Sequence, residues 1–315
     1  MAALTRGAPG TAIRDAPSAH ARAHVRGGAD VHVHISPDVV ERRIDDVGLA
    51  RRFEELGLSG FVLKSHYTST AERAAVVRGV VPGIAALGAI VLNRAIGGMN
   101  PLAVEIAARE GARVVWMPTT DSHAEREHLA GQPPGANLPV WAKVQAEFSE
   151  RGIVSDPVDV VGDDGALRPE TRVVLEVVAE HGLVLATGHL GRAEAFAVVA
   201  AAREAGVEDV VVTHPDFPAQ GFSVEEQLEL AGMGAWIERC FTTPHTGKCS
   251  WEQWLEGTRA VGAERTLLSS DLGQVQNPPV EDGLALMADR LLKAGFGEDD
   301  VQTMAVTNTR KIAGL

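Results

Sequence analysis

Short apolar segments alternate with amphipathic stretches along most of this chain. Eight segments rich in Val, Ile, Leu and Ala have the length and pattern of buried strands. The predicted strands are residues 29–34, 61–63, 85–92, 112–117, 183–187, 209–213, 234–237 and 266–269. The stretches between and after them carry apolar residues at helical spacing. The predicted helices are residues 39–56, 70–77, 101–109, 171–181, 193–205, 224–230, 251–261, 280–293 and 299–305.

The regular alternation of strands and helices predicts the class of fold. Eight strands that alternate with helices are typical of an α/β protein folded as a (β/α)8 TIM barrel. We assign this barrel to residues 29–315 as a single domain. Because only 4% of the residues are aromatic, Ala, Val, Leu and Ile must fill its core.

The alternation is interrupted by an insertion at residues 119–169, directly after the fourth predicted strand. Asp163-Asp164-Gly165 is a hairpin-turn signal within it. A connection of this length is usually either a functional lid or a disordered excursion. Since the insertion follows the C-terminal end of a strand, where barrel sites are built, we predict a lid.

Residues 1–28 precede the barrel and are rich in Ala, Arg, Gly and Pro. They lack the apolar centre of a secretory signal, so we predict a disordered, mobile tail. The arginines and the near lack of acidic residues also fit a transit peptide.

Composition narrows the range of partners. The formal net charge of -13 argues against nucleic acid, which requires a basic surface. No apolar run approaches the roughly 20 residues that span a bilayer, so no membrane partner is expected. The two cysteines, Cys240 and Cys249, do not make a disulfide framework and indicate reduced thiols in a cytoplasmic protein. A small-molecule substrate is the expected partner, and a homodimer is compatible with this architecture.

The first predicted strand carries a pair of metal ligands. Val31 and Val33 alternate with His32 and His34, which is the period of a strand. The two imidazoles therefore point to the same side and can both reach one metal ion. Taken alone, the pair is more often structural than metal-binding.

Polar side chains follow later strands at intervals of about one βα unit. These residues are His189, His214, Glu238 and Asp271, joined by Lys64 and His66 after the second strand. In a barrel the C-terminal ends of the strands meet at one mouth, so all of these side chains can share one site with the first histidine pair. A single histidine would be read as a core residue and Asp271 as a turn cap. Their recurrence in register predicts a metal site instead.

Several of these segments resemble motifs of the amidohydrolase superfamily, including its phosphotriesterase-like branch. The resemblance covers strands one, five, six and eight, and residues 307–315 are similar to the closing helix of that superfamily. The four segments are Asp30-Val31-His32-Val33-His34, Thr187-Gly188-His189-Leu190, Val212-Thr213-His214-Pro215 and Ser269-Ser270-Asp271-Leu272-Gly273. The closest resemblance is to an uncharacterised amidohydrolase-related family, over nearly all of the chain after residue 28.

The resemblance implies a role for each ligand. His32 and His34 would bind the more buried metal ion, and His189 and His214 the more exposed one. Asp271 would ligate the first ion and shuttle the proton.

The superfamily often draws a bridging carboxylated lysine or glutamate from strand four, but residues 112–117 offer neither. Lys64 is therefore either a carboxylated bridge, since a desolvated lysine can be neutral enough to add carbon dioxide, or an ordinary ammonium that binds a substrate anion.

Other residues near the strand ends are ligands or substrate contacts of second rank. His66 either donates a nitrogen to a metal ion or contacts substrate, and Tyr67 lies beside it. Glu238 either ligates metal or holds a histidine in its tautomer. Arg94 is read either as a clamp for a substrate carboxylate or phosphate, or as an ordinary surface residue.

These residues predict a metal-dependent hydrolase. One or two divalent ions, zinc in view of the imidazole-rich set, would activate water to cleave an amide, a lactone or ester, or a phosphoester bond of a small molecule. Non-oxidative decarboxylation at a single metal ion is the alternative within the same superfamily. A catalytically silent barrel that binds a small ligand is the alternative outside enzymes.

Overall fold

The computed structural model describes residues 16–133, 135–136, 138–153 and 156–315. Eight parallel strands pair in chain order in a single sheet. The strands are β1 Ala29–Val33, β2 Gly60–Leu63, β3 Ala85–Val91, β4 Ala112–Trp116, β5 Val184–Ala186, β6 Val210–Val212, β7 Trp236–Cys240 and β8 Thr266–Ser269. The first and last strands meet, because the N–H of His34 donates to the carbonyl of Leu272 and that of Asp271 to the carbonyl of His32. The predicted (β/α)8 barrel is therefore confirmed.

Helices surround the sheet on its outer face. They are α1 Ala19–His24, α2 Asp46–Leu56, α3 Ala71–Val80, α4 Pro101–Arg109, α5 His123–Ala130, α6 Val140–Glu150, α7 Pro169–Glu180, α8 Arg192–Glu204, α9 Val224–Gly232, α10 Thr242–His245, α11 Trp251–Val261, α12 Gly283–Lys293, α13 Glu298–Gln302 and α14 Asn308–Ala313. Among the described residues, no helix combines the length and the apolar character needed to cross a membrane.

The strands are buried on both faces, as expected for a parallel sheet covered by helices. One set of apolar side chains packs between the sheet and the helices. A second set fills the interior of the barrel, where Trp116 and Trp236 are its bulkiest members. The barrel is thus closed by side chains below its C-terminal mouth.

The insertion after β4 contains two helices, α5 and α6, that the sequence pattern did not predict. Beyond them, Val161 pairs with Leu167 in an antiparallel bridge across the predicted turn at residues 163–165, which confirms that turn. Ser122 caps α5, since its hydroxyl accepts from the N–H of Glu125. The role of the insertion as a lid stays a prediction.

The expected mobile tail is wrong for residues 16–28, and residues 1–15 lie outside the described part of the chain. Residues 19–24 form α1, and Ala21 and Val25 are buried against α12. Ser18 caps α1 and also bonds to both carboxylate oxygens of Asp289, at 2.8 Å from its N–H and 2.8 Å from its hydroxyl. Burial and these bonds offset the entropy of ordering the segment.

Two element boundaries differ from the prediction in ways that affect the site. The helix predicted from residue 39 begins at Asp46, because Asp45 is its N-cap and residues 36–45 form a loop. The seventh strand continues to Cys240, so Glu238 lies within β7 rather than after it. Glu238 is therefore held more rigidly than a loop residue would be.

Candidate metal centre

Three of the predicted ligands come together where β1 meets the segment after β8. Asp271 Oδ1 lies 3.2 Å from His32 Nε2 and 3.1 Å from His34 Nε2. All three side chains are buried, and their ligand atoms are close enough together to hold one metal ion. The hydrogen bond from the Asp271 N–H to the His32 carbonyl, 2.9 Å long, fixes this approach through the backbone.

Two of the six predicted ligands have unusual backbone angles. Asp271 has φ of 52° and His214 has φ of 26°, in the left-handed region that side chains rarely adopt. Close to Asp271, Gly273 has φ of 139°, and a Cβ there would overlap the carbonyl of His34. Such conformations persist only where the surrounding structure imposes them, and they cluster at functional sites.

His189 and His214 form a second pair beside the first. Their ring centroids are 4.9 Å apart, and the His214 ring stacks 6.0 Å from that of His32. The Nδ1 atom of His189 lies 2.9 Å from Glu125 Oε2, and that of His214 lies 2.9 Å from Gln220 Oε1. These bonds fix each ring and leave Nε2 as the nitrogen that could ligate a metal ion, as in the usual arrangement of metal-binding histidines.

Glu238 connects the two pairs of histidines. Its Oε1 lies 3.0 Å from His32 Nδ1 and accepts from the Ser269 hydroxyl at 2.7 Å, while Oε2 accepts from the N–H of His214 at 3.2 Å. Burial acts to raise the pKa of Glu238, but His32, together with His214 and the Ser269 hydroxyl, lowers it to about 2. These contacts support an orienting role for this carboxylate.

Lys64 lies at the centre of the cluster. It is buried, with Nζ 2.9 Å from His32 Nε2 and 5.0 Å from the centre of the Trp116 ring. Burial lowers the pKa of Lys64, although the carboxylates of Asp271 and Glu238 act to raise it. The positive charge of Lys64 acts to lower the pKa of every histidine of the site. Lys64 is therefore close enough to both histidine pairs to interact with them electrostatically.

The remaining predicted residues divide into two groups. His66 joins the site, since its ring lies 5.0 Å from that of His34 and its Nδ1 2.8 Å from Thr119 Oγ1. Tyr67 packs edge-on to His66 at 6.3 Å, and its buried hydroxyl has no hydrogen-bond partner among the described residues. Arg94 does not join them: its guanidinium donates to the carbonyls of residues 156 and 157 in the insertion, at 2.9 and 2.6 Å. This position favours the ordinary surface residue over the substrate clamp, and the role of Arg94 stays a prediction.

Most of the site histidines are neutral near pH 7. Burial, followed by Arg42, lowers the pKa of His34 to about 3, and burial lowers those of His66, His189 and His214 well below the ordinary value. His32 differs: burial and Lys64 oppose its protonation, but the two neighbouring carboxylates raise its pKa. Since metal ions bind neutral imidazole, this environment suits a ligand set.

Sequence reasoning missed the residues that hold the ligands in place. Besides Glu125 and Gln220, Thr242 donates a 2.7 Å hydrogen bond to Asp271 Oδ2. A signal did exist for Glu125, because Ser122 and Glu125 have the spacing of a capping box at a helix start. This overlooked spacing marks the start of a helix, but it does not show that the Glu125 side chain turns to His189.

Glu125 offers a test of this arrangement. Glu125→Ala should weaken zinc binding about 10- to 100-fold, because His189 loses the carboxylate that orients its ring. Glu125→Gln should retain most of the affinity, since its amide oxygen can still accept from Nδ1. Zinc affinity is measured by competition with a chromogenic chelator. Glu127→Ala removes an exposed carboxylate from the same helix and is the matched control; equal affinities of the two alanine variants would contradict the assignment.

Gly188 offers a second test, of the turn that presents His189. Gly188 has φ of 59°, and a Cβ on it would overlap the carbonyl oxygens of Met117 and Pro118. Gly206 has φ of 88° with open space around it. Gly206→Ala should cost about 1–2 kcal/mol of unfolding free energy from the backbone angle alone. Gly188→Ala should cost about 1–3 kcal/mol more from the overlap, as measured by urea unfolding. Equal losses would show that the turn can relax.

The fold is similar to those of solved structures. An amidohydrolase from Pseudomonas aeruginosa matches with a TM-score of 0.59 and 14% identity, over 94% of this chain and 99% of the other. The probable dipeptidase PvdM of the same organism matches with a TM-score of 0.59 and 10% identity, over 94% of this chain and 97% of the other. A dipeptidase described as a metallopeptidase matches with a TM-score of 0.55 and 12% identity, over 91% of this chain and 98% of the other. No curated protein matches the sequence significantly.

The chain thus shares the (β/α)8 barrel fold of the amidohydrolase and dipeptidase structures. The chain belongs to a family of unknown function, DUF6282, whose model matches residues 27–238. The matched region includes both histidine pairs and Glu238, whereas Asp271 lies beyond it.

Proposed function

We propose that this protein is a metal-dependent hydrolase of small molecules. The observation that supports this best is the convergence of two histidine pairs and Asp271 at the mouth, where His189 and His214 each present Nε2 because Nδ1 is bound elsewhere. Nitrogen donors with one carboxylate are the ligands that zinc prefers. The residues present therefore fit one or two divalent ions.

When bound, such an ion lowers the pKa of water and polarises a scissile carbonyl or phosphoryl oxygen. His32, His34 and Asp271 would hold the more buried ion, and His189 and His214 the more exposed one. Lys64, once carboxylated, would bridge the two, because its Nζ lies next to His32 and within electrostatic range of the other pair.

Asp271 would move the proton. Although burial opposes it, His32 and His34 hold the pKa of Asp271 well below its ordinary value, so the carboxylate is ionised and can accept a proton. Oδ1 faces the two histidines, and Oδ2 is oriented by Thr242. Oδ2 would take the proton from the attacking water and pass it to the leaving group, with the Thr242 hydroxyl turning to release it.

Amide bonds come first among the bonds that this site would cleave. An amidohydrolase and two dipeptidases share the fold over nearly their whole length. Lactones, esters and phosphoesters follow, since the same activated water would attack them.

Removal and return of metal tests the proposal. Protein treated with a chelator should lose hydrolysis of its best substrate, found in a panel of amides, dipeptides, lactones, esters and phosphoesters, and added zinc should restore it. Hydrolysis is followed by release of acid or amine. A protein that binds zinc tightly and hydrolyses no member of the panel would contradict the proposal. Release of carbon dioxide from a carboxylic acid by the same protein would indicate the decarboxylase instead.

A further inference from the structure

A lysine that sequence reasoning did not single out extends into the mouth from the loop after β7. Lys248 follows the short helix α10, whose C-terminus is closed by a Schellman motif. The N–H of Gly247, at φ of 77°, donates to the carbonyl of Pro244 at 3.1 Å, and the N–H of Lys248 donates to that of Thr243 at 3.0 Å. The backbone of Lys248 is therefore held in one conformation, which directs its side chain.

The side chain of Lys248 lies against an aromatic ring at the edge of the second histidine pair. Its Nζ is 3.9 Å from the centre of the Phe217 ring. That ring in turn packs 5.3 Å from His189 and 4.7 Å from His214. The ammonium and both imidazoles thus contact the same phenyl ring, so a molecule bound at the second histidine pair would lie within reach of Lys248.

The charge of Lys248 has no counter-charge in contact with it. Within the described part of the chain, Nζ makes no ion pair and no hydrogen bond, although the side chain is half-buried. The other two cations of the site are engaged: Arg42 donates to Asp38 at 2.7 Å, and Lys64 lies against His32. A partly desolvated ammonium without a partner is costly, and a bound anion would offset that cost.

We propose that Lys248 is the specificity-determining residue of the site and binds a carboxylate of the substrate. This inference rests on the proposed hydrolase and names its substrate class: small amides or esters that carry a carboxylate beside the scissile bond. A single ammonium on a flexible stem suits a carboxylate better than a phosphate dianion, which usually gathers several donors. The net charge of the chain is -13, so its surface repels anions. A cation at the mouth would counter this repulsion and favour the binding of anionic substrates there.

The test is direct binding to zinc-loaded protein in which the reference, called wild type below, and every variant carry Asp271→Asn, so that the probes bind without being cleaved. The probes are the N-acetyl derivatives of glycine, alanine and β-alanine, each paired with its neutral amide, together with inorganic phosphate. Calorimetry should show that the carboxylate of at least one pair binds about tenfold or more tighter than the amide. Lys248→Gln should abolish that preference, and Lys248→Arg should keep part of it.

A matched control separates the contact from net charge. Lys293→Gln makes the same change of charge at an exposed position in the last turn of α12, and it should keep the wild-type preference. Should Lys248→Gln fail to fold, Lys248→Met keeps an aliphatic stem on Phe217 and takes its place. Equal binding of acid and amide by the wild type, or a preference that survives in the Lys248 variants, overturns the proposal. Tighter binding of phosphate than of every carboxylate, lost in Lys248→Gln, also overturns the carboxylate assignment.

The binding experiment and the hydrolysis experiment can fail separately, so the two proposals can be told apart. A Lys248-dependent preference for carboxylates in a protein that hydrolyses nothing would contradict the hydrolase and leave the anion subsite standing. Hydrolysis of neutral amides without that preference would support the hydrolase and overturn the assignment of a carboxylate subsite to Lys248.

Discussion

Asp271→Asn should lower kcat by about 10²- to 10⁴-fold while the protein keeps most of its metal. The amide keeps an oxygen at the position of Oδ1, near the Nε2 atoms of His32 and His34, so the geometry of the ligand set survives. It cannot accept a proton, which removes the proposed transfer from water to the leaving group. Turnover of the best substrate is measured beside metal content by elemental mass spectrometry.

The comparison needs two controls. Asp299→Asn changes an exposed aspartate on α13 and should leave both quantities unchanged. Thr242→Val removes the hydroxyl that orients Asp271 Oδ2 and should give a smaller loss of kcat, with metal content near that of the wild type. Unimpaired turnover in Asp271→Asn would refute the catalytic role. Metal lost in proportion to activity would show that Asp271 acts as a ligand only.

Wild-type protein should bind about two zinc ions per chain, and Lys64→Ala should reduce this to about one. Lys64 is buried among the site histidines, and burial lowers its pKa, which favours the neutral amine that adds carbon dioxide. As an ammonium it would oppose a cation at either histidine pair. As a carbamate it would contribute oxygen ligands to both ions.

Two measurements decide between these states of Lys64. Metal content is determined for the wild type, Lys64→Ala and the exposed control Lys293→Ala. Carbon-13 NMR of protein prepared with labelled bicarbonate should show a carbamate signal that is absent from Lys64→Ala. About one ion in both the wild type and Lys64→Ala, without a carbamate signal, would make Lys64 a cation that binds substrate and would favour the decarboxylase.

The barrel followed from local patterns in the sequence. Buried parallel strands are short apolar runs, and the helices between them show their own period, so the order of elements needed no knowledge of contacts. Convergence of strand ends in a barrel then predicted that histidines far apart in the chain would meet. His32, His34 and Asp271 do meet, and His189 and His214 lie beside them. Their role as metal ligands stays a prediction.

Tertiary structure decided what surrounds those residues. Glu125 reaches His189 from a helix of the insertion, Lys248 reaches the mouth over Phe217, and Arg94 turns toward the insertion instead of the site. Likewise, α1 is ordered because Ser18 meets Asp289 on α12, at the other end of the chain. Period and spacing report which residues share a face of one element. They carry no record of which side chain from a distant element will fill the space beside it, because that depends on how the elements pack.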